Sequence, residues 1–352
     1  MKILIVRVGR TGDMVMMTPA LSALLEKYPD AEFTFLTSPD GKRTLEGFSN
    51  QIKTFHILNR NRLLSFFGRR AVREMIQGGK FDHIYCFENK QRYYQLFRGS
   101  HAQIHGLSTL KGNKHYSQLL LDVVSNGIGY DIGAYPLSLP VSKHAEATNV
   151  SYLQGLGITD RSFLLAIHPS YNGAGKRFGS MTHKKNKRWP PEFYGELSCR
   201  LSAYGKKHAV DLKILMNLMP EECRIGEKIV ESSRGCAEIV SLRPDFQQYK
   251  AFLKRADLLV TPDTGPMHIA SALRTPVVAL FAGKDPGDCG PFAPNEQVSI
   301  LRAEETDRPE IGIAAIRVED VFTACVKWIE CKPISQARPG ASFLIKQESN
   351  YI

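Results

Sequence analysis

The chain has 352 residues, more than one typical domain, and its apolar content of 43% with 28 glycines and 19 prolines is ordinary for a packed globular protein. No apolar run approaches the roughly 18 residues of a membrane span, and the seven cysteines are scattered without a C-x-x-C pair, which argues against a zinc site or a disulfide framework and favours reduced thiols in the cytoplasm. The formal net charge of +11 favours phosphate-rich ligands, nucleic acid or anionic lipid as partners.

Strand-like and helix-like stretches alternate through the first third of the sequence. The predicted strands cover 2–8, 32–37, 52–58, 81–87 and 102–105, and the predicted helices lie around 14–28, 42–48, 63–77, 89–98 and 115–126. Pro19 lies inside the first helical pattern and predicts a kink, or a helix that begins afresh with Thr18 as its cap. The alternation predicts a parallel sheet with helices on both faces, which is one Rossmann-like unit.

Glycines and prolines from 127 to 140 predict a linker, after which a second alternating series begins. Its predicted strands cover 163–168, 211–216, 237–242, 258–261 and 276–281, and its predicted helices cover 143–156, 191–206, 220–232, 246–255, 267–274 and a late stretch near 318–329. We therefore expect an α/β protein with two Rossmann-like domains, an N-terminal one over 1–140 and a C-terminal one over 141–330. The tail, 331–352, is expected either to be partly disordered or to pack back on the N-terminal domain.

The stretch 258–282 predicts an anion site at the end of a strand. A short apolar strand is interrupted by Pro262-Asp263-Thr264-Gly265-Pro266, and a helix follows. Thr264 or Asp263 can cap this helix, and Pro266 suits the first turn because a proline lacks the N–H that would be unpaired there. A helix start with a glycine that admits close backbone approach is typical of phosphate sites, although an ordinary capped turn uses the same residues.

A second turn follows the first predicted strand and contains Gly9, Thr11, Gly12 and Asp13. Asp13 lies where a carboxylate can take a proton from a sugar hydroxyl, and its alternative role is a helix cap or a charge that suits a helix N-terminus. The two glycines either admit a ligand or serve a tight turn, and the absence of G-x-G-x-x-G argues against an NAD enzyme. With two domains, this turn and the turn at Asp263 are expected to face each other across a cleft.

Charged residues near two other helix starts complete the candidate site. Lys187 and Arg188 precede a helix and could hold the charge of a departing diphosphate, although a solvated basic loop is the alternative. Glu221 or Glu222 begins the next helix, where a carboxylate often holds ribose hydroxyls, and capping explains it equally well. The sequence has no D-x-D pair for a divalent metal, so neutralising the leaving group would fall to the helix N-terminus and the basic side chains.

Several motifs together resemble the bacterial ADP-heptose:lipopolysaccharide heptosyltransferases and their wider family, glycosyltransferase family 9. These motifs are ILIVRVGRTGDMVMMTPALSALLEKYP, HPS followed by KRWPPEFYGEL, LKRADLLVTPDTGPMHIASAL and PVVALFAGKDPGDCGPFAP. The D-T-G-P-M-H-I-A segment is specific in combination with G-D and T-P-A-L near the start. The resemblance runs over most of the chain and implies a GT-B fold, with the nucleotide-sugar on the C-terminal domain and the acceptor mainly on the N-terminal one.

The resemblance also implies an inverting transfer without a metal or another cofactor, and it assigns roles to residues. Asp13 matches the family's proposed general base, Lys187 matches the basic residue placed against the phosphates, and Glu221 loosely matches the ribose-binding carboxylate. The segment that holds the diphosphate, with its neighbours, comprises Asp263, Thr264, Gly265, Pro266 and His268. Gly9, Thr11 and Gly12 form the turn near the acceptor.

Some positions depart from the pattern of the family. Ser170 stands where many members have glycine, Lys284 stands where threonine is common, and 171–186 looks long. These departures leave donor and acceptor open, with ADP-heptose and an anionic lipid-linked glycan of the lipopolysaccharide-core type as the expected pair. We interpret the arginine-rich stretch 60–73 as a contact with that acceptor or with the cytoplasmic face of the inner membrane; the alternative is an amphipathic helix with solvated arginines.

Other functions fit parts of the sequence. A related GT-B enzyme could use a different nucleotide-sugar, or could be an epimerase or hydrolase that needs no acceptor. A non-catalytic nucleotide-sugar-binding protein is a further alternative, against which the presence of both Asp13 and Lys187 argues. A nucleic-acid-binding role has only the net charge in its favour, because regular aromatic interleaving, helix-turn-helix and zinc patterns are all missing from the sequence.

Overall fold

The computed structural model describes residues 1–58, 66–107, 114–170, 187–240 and 245–331, and its strands form two parallel sheets. The first sheet contains β1 (Lys2–Arg7), β2 (Glu32–Thr37), β3 (Ile52–Ile57), β4 (His83–Cys86) and β5 (Gln103–Gly106). Their order is β3-β2-β1-β4-β5, and all neighbouring pairs are parallel. Ligands of such sheets bind at the carboxyl ends of the strands.

The helices of the first half cover this sheet and confirm a break at Pro19. They are α1 (Thr11–Met16), α2 (Thr18–Lys27), α3 (Pro39–Leu45), α4 (Phe66–Gly79), α5 (Gln91–Tyr94) and α6 (Tyr116–Ile128), with a 3₁₀ turn at Gln95–Phe97. Pro19 is the second residue of α2, where its missing N–H costs nothing. The cap position belongs to Met17 rather than to Thr18, whose hydroxyl donates to the Val15 carbonyl at 2.8 Å instead.

The second sheet contains β6 (Phe163–Ile167), β7 (Leu212–Asn217), β8 (Glu238–Val240), β9 (Leu258–Pro262), β10 (Val277–Phe281) and β11 (Val298–Arg302). Their order is β11-β10-β9-β6-β7-β8, again parallel throughout. The sequence pattern did not predict β11. Its segment is only partly buried at the edge of the sheet and lacks the continuous apolar run of its neighbours β10 and β9.

The helices of the second half are α7 (Lys143–Gly155), α8 (Pro191–Lys207), α9 (Cys223–Ser232), α10 (Phe246–Arg255), α11 (Gly265–Ala272), α12 (Pro286–Cys289) and α13 (Val318–Cys331). Short 3₁₀ turns lie at Pro220–Glu222, Asn295–Gln297, Ala303–Glu305 and Pro309–Ala315. Helix α11 begins two residues before the predicted start, because Thr264 has an extended backbone and takes the N-cap position. The short α12 was not predicted.

Both sheets are covered on both faces, which explains why their central strands read as continuous apolar runs. Every residue of β6, β9 and β10 is buried. One apolar cluster of the second sheet also contains Val15 from α1 together with Leu137 and Leu139 from the linker. The first half of the chain is therefore packed directly into the core of the second.

Among the residues that the structure describes, no helix is both long enough and apolar enough to cross a bilayer. The tail from 332 onward, the stretch 171–186 and the basic residues in 60–65 lie outside the described part. What the sequence predicts for them, and for the domain boundaries, stays a prediction.

Candidate active site

The turn after β1 and the turn after β9 meet at the carboxyl ends of the two sheets, where α1 packs against α11. Of the two glycines at this contact, Gly12 is the one where a side chain would clash. A methyl group added at Gly12 would lie 2.9 Å from Cδ2 of His268, and one added at Gly265 would lie 3.7 Å from the backbone nitrogen of Gly12. The two turns predicted to face each other are thus in contact, and Gly12 leaves room for a side chain of the opposite turn.

Asp13 lies in the first turn of α1 with both carboxylate oxygens engaged. Its Oδ1 lies 3.0 Å from Nη2 of Arg7, and its Oδ2 accepts a hydrogen bond from the backbone N–H of Arg10 at 2.8 Å. The side chain is 33% exposed. Gly9 makes room for it, because a Cβ there would lie 2.5 Å from Cβ of Asp13. The capping alternative is thus realised, and it leaves part of the carboxylate side chain exposed.

Arg7 was not singled out from the sequence, although an arginine inside the strand KILIVR is an unusual signal. Its Nη1 donates to the Phe87 carbonyl at 3.0 Å and lies 3.4 Å from Oε1 of Glu88. Its guanidinium stacks over the ring of Tyr116 at 4.9 Å. The side chain that pairs with Asp13, the predicted base, is therefore a buried cation that also contacts a second carboxylate.

The start of α11 has no side-chain cap. Thr264 occupies the N-cap position, but its hydroxyl donates to the Pro262 carbonyl at 3.2 Å instead of accepting from the helix, so the prediction of a capped turn is wrong in this respect. Pro266 lies in the first turn, as expected. A helix N-terminus without a side-chain cap keeps its positive end of the dipole available to an anion.

Lys187 lies at the same turn. Its Nζ pairs with the carboxylate of Asp263 and also approaches the Asp263 carbonyl oxygen at 3.3 Å. Trp189, two residues further along the chain, fixes this position, because it is only 1% exposed and its Nε1 donates to the Ile316 carbonyl at 2.9 Å. Arg188, between them, is exposed to solvent. The structure thus brings Lys187, but not Arg188, against the turn at Asp263.

His268 is buried on α11, facing Gly12 of the opposite turn. Burial lowers the pKa of its imidazole to about 4, with the nearby Asp263 acting in the opposite direction. Among the described residues its Nδ1 has no hydrogen-bond partner. The ring is therefore neutral near pH 7 and contributes shape, not charge.

The two glutamates before α9 lie in different environments. Glu221 is exposed, whereas the Glu222 side chain is 14% exposed. Oε2 of Glu222 accepts from the Met219 backbone N–H at 3.0 Å, and its Oε1 lies 3.9 Å from Nε2 of His168 at the end of β6. His168 in turn bonds to the Tyr249 hydroxyl through Nδ1 at 3.3 Å. Of the two glutamates, Glu222 is the one directed to the carboxyl edge of the second sheet.

Two parallel sheets that bring their carboxyl edges to one cleft define the GT-B class of fold. The model of glycosyltransferase family 9 (heptosyltransferase) matches residues 120–314, more than half of the chain, and the chain belongs to that family. It is therefore a glycosyltransferase. Among the described residues, no group of three or more His, Cys, Asp or Glu side chains could hold a metal ion.

Known proteins similar to this chain cover nearly all of it. It is 24% identical over 343 residues to lipopolysaccharide heptosyltransferase 1 of Escherichia coli O18:K1:H7, with 90% of this chain and 96% of that protein covered. The structure of a family 9 glycosyl transferase from Veillonella parvula has a TM-score of 0.75 at 19% identity, covering 94% of this chain and 97% of that one. E. coli heptosyltransferase WaaC with ADP has a TM-score of 0.68 at 18% identity, covering 93% and 100%. These two structures share the GT-B fold with the chain.

Proposed function

We propose that this glycosyltransferase moves heptose from ADP-heptose onto a lipopolysaccharide-core or related anionic glycan. The E. coli relative is a lipopolysaccharide heptosyltransferase, and the similar WaaC structure contains ADP. The observation that carries the proposal is the contact of α1, with its partly exposed Asp13, against the uncapped start of α11. A proton acceptor and an anion-binding helix end then border one cleft.

The donor diphosphate is proposed to lie at the start of α11, in the segment Thr264-Gly265-Pro266. The helix N-terminus attracts negative charge there, and Lys187 adds a cation that is already held in place by Asp263. Arg188, the next residue, is exposed and is not held against this turn, so the role proposed for a cation falls to Lys187. These groups would stabilise the charge that develops on the leaving diphosphate, so the proposed transfer needs no metal ion.

The transfer is proposed to be a single displacement with inversion. Asp13 takes the proton of the acceptor hydroxyl, the acceptor oxygen bonds to the anomeric carbon, and the bond from that carbon to the diphosphate oxygen breaks with its electron pair leaving on ADP. Thr11 and the glycines Gly9 and Gly12 would line the acceptor side of the same turn. The neutral His268 packs beside Gly12, where the two turns meet.

The ribose of the donor is proposed to bind at the carboxyl edge of the second sheet. The sequence favoured Glu221, but Glu222 is the glutamate that lies against His168 at the end of β6. A carboxylate at this kind of edge can accept both ribose hydroxyls. We therefore assign the ribose role to Glu222 and keep Glu221 as the comparison residue.

The acceptor is proposed to approach from the basic side of the first domain, near the cytoplasmic face of the inner membrane. Helix α4 carries Arg69, Arg70 and Arg73; Arg70 pairs with Glu74 at 2.8 Å, and Arg73 donates to the Gln95 carbonyl at 3.3 Å. Both arginines are exposed, so they can exchange these contacts for phosphates of a lipid-linked glycan.

The deciding experiment combines calorimetric donor binding with transfer to purified lipopolysaccharide acceptors. We expect ADP-heptose to bind in preference to UDP- and GDP-sugars, transfer to persist in EDTA, and the product to carry the inverted anomer by NMR. Selective binding and transfer of another nucleotide-sugar would keep the class of enzyme and contradict the donor. Donor turnover without acceptor would favour an epimerase or hydrolase, and binding without turnover a non-catalytic protein.

A further inference from the structure

Arg7 places a positive charge at the end of a strand whose preceding side chains, Ile3 to Val6, are apolar and buried. It lies between two carboxylates, those of Asp13 and Glu88, at 3.0 and 3.4 Å. A buried charge is costly unless it is paired and hydrogen-bonded. Its Nε nevertheless has no hydrogen-bond partner among the described residues. Packing alone does not explain an arginine at this position. Its contacts with two carboxylates, which have different roles, do explain it.

The two carboxylates differ in how firmly they are held. Glu88 is buried, and its Oε1 also accepts a hydrogen bond from the Val8 backbone N–H at 2.8 Å. Asp13 is one-third exposed, and its Oδ2 is bonded to the backbone N–H of Arg10 on the cleft side. Glu88 is thus a fixed counter-ion of Arg7, and Asp13 is the member that a substrate can reach.

We propose that Arg7 and Glu88 are positioning residues that set, in opposite directions, how readily Asp13 takes the acceptor proton. This inference rests on the proposed function. Arg7 favours the charged carboxylate and directs it through Oδ1. Glu88 remains as the counter-ion of Arg7 when Asp13 becomes neutral, so proton transfer never leaves the buried guanidinium without an opposite charge.

Other titratable groups face this cluster from the surrounding elements. Tyr116 of α6 lies under the guanidinium and donates its hydroxyl to the Phe87 carbonyl at 2.9 Å. Tyr93 of α5 and His268 of α11 are also close enough to interact electrostatically with the cluster. Burial raises the pKa of Tyr116 and lowers that of His268, so both are neutral near pH 7. Cys86 of β4 donates its thiol to the Glu88 carbonyl at 3.7 Å, and burial raises its pKa to about 12, so it too is neutral. Arg10, whose backbone N–H bonds to Asp13, is exposed, so the buried charges next to Asp13 are those of Arg7 and Glu88.

The test is the pH dependence of kcat for sugar transfer by the full-length protein. Arg7→Met removes the cation, and we expect kcat to fall about tenfold or more. The acid limb of the pH–kcat profile, where kcat falls as Asp13 becomes protonated, should move to higher pH. Glu88→Gln removes the anion, and we expect the acid limb to move to lower pH. Arg7→Lys keeps the charge and should restore most of the activity. Displacements of opposite sign cannot result from a general loosening of the fold.

A matched control is the ion pair of Arg255 and Asp257, which is similarly buried, 3.3 Å apart, and adjoins the amino end of β9. Arg255→Met should leave the pH limbs where they are in the unmodified protein. The positioning role would be overturned if the acid limb stayed in place in both Arg7→Met and Glu88→Gln, or if it moved in the same direction in both. Either result would leave the proposed function intact. No transfer by the unmodified protein contradicts both. Should Arg7→Met fail to fold, the displacement in Glu88→Gln decides.

Discussion

Two cations that border the cleft are paired with carboxylates of the protein itself. Lys187 pairs with Asp263, and Arg7 pairs with Asp13. A donor diphosphate that binds Lys187 therefore replaces the ion pair of Lys187 with Asp263. The free energy of binding gained in this way is the difference between the two interactions. Because this difference is small for a small anion, we expect affinity to come mainly from the nucleoside and sugar parts of the donor.

Asp13→Asn tests the proposed base with nearly unchanged shape. The amide cannot accept the acceptor proton, so we expect kcat to fall roughly 100- to 10,000-fold while the donor still binds. Rapid-quench transfer assays and donor calorimetry provide the two readouts. Asp160→Asn, on an exposed loop, is the control and should match the unmodified protein. Near-normal turnover in Asp13→Asn would remove Asp13 from the mechanism.

Glu222→Gln tests the ribose assignment against its neighbour. We expect the donor KM to rise about tenfold, because an amide is a weaker partner than a carboxylate for two hydroxyls, with little change in kcat. Glu221→Gln, one residue away and exposed, should leave the donor KM unchanged. The reverse pattern in the two KM values would restore Glu221 as the ribose residue.

His268 gives the fold a predicted sensitivity to acid. Its pKa is lowered from the ordinary value of 6.5 to about 4 by burial, so protonation favours the unfolded chain. The neutral His268 therefore contributes to the free energy of unfolding, and this contribution is fully present above pH 6.5. It is lost as the pH falls toward 4, and the loss amounts to about 3 kcal/mol at pH 4. Urea unfolding at pH 7 and 4 should show a smaller acid loss in His268→Gln, and an unchanged loss in exposed His144→Gln. Equal losses in all three proteins would mean that His268 titrates normally.

At the scale of elements, the contact between α1 and α11 depends on the absence of a side chain at Gly12. Gly12→Ala would place a methyl group 2.9 Å from the His268 ring. We expect a loss of about 1–3 kcal/mol in stability and a fall in transfer rate, because the two turns must separate. Gly155→Ala, in α7 with nothing within 4 Å, should be neutral or slightly stabilising. Urea midpoints and transfer assays would measure both variants.

Equal urea midpoints and equal transfer rates for Gly12→Ala and Gly155→Ala would contradict this expectation. They would show that α1 and α11 can move apart without loss of stability or activity.

The elements themselves were largely predictable because burial leaves a direct mark on sequence. Strand β2 and helix α10 lie where the apolar and capping patterns predict, over Glu32–Thr37 and Phe246–Arg255. Edge strand β11 escaped prediction because it is only partly buried. Within the site, periodicity predicted which turns meet, but it did not distinguish Glu222 from Glu221 or point to Arg7. Those distinctions depend on contacts with Glu88 and other residues remote in sequence.

At the scale of the whole molecule, several contacts join the two halves besides the cleft. His115 stacks on Phe292 at 4.7 Å and bonds through Nε2 to the Gly290 carbonyl at 3.1 Å. Arg43 lies over the Phe246 ring at 5.1 Å. Together with Val15 in the second core, these contacts should make unfolding a single cooperative event.

Calorimetry tests this cooperativity. We expect a single transition whose van't Hoff and calorimetric enthalpies agree, and we expect a donor analogue to raise the whole transition. Val15→Ala should cost about 2–3 kcal/mol and start to separate two transitions, because it removes an apolar bridge. Two resolved transitions in the unmodified protein would mean that each half folds independently.

The packing of Leu137 and Leu139 in the second core has a practical consequence for building hybrid enzymes. A chimera that takes its acceptor side from another family member and joins it at residue 140 would import two foreign side chains into the donor-side core. A junction before Leu137 keeps that core native and leaves Val15 as the chief position to match. Acceptor specificity should then be transferable between relatives once Val15 and the contacts that His115 and Arg43 make with the second half are matched.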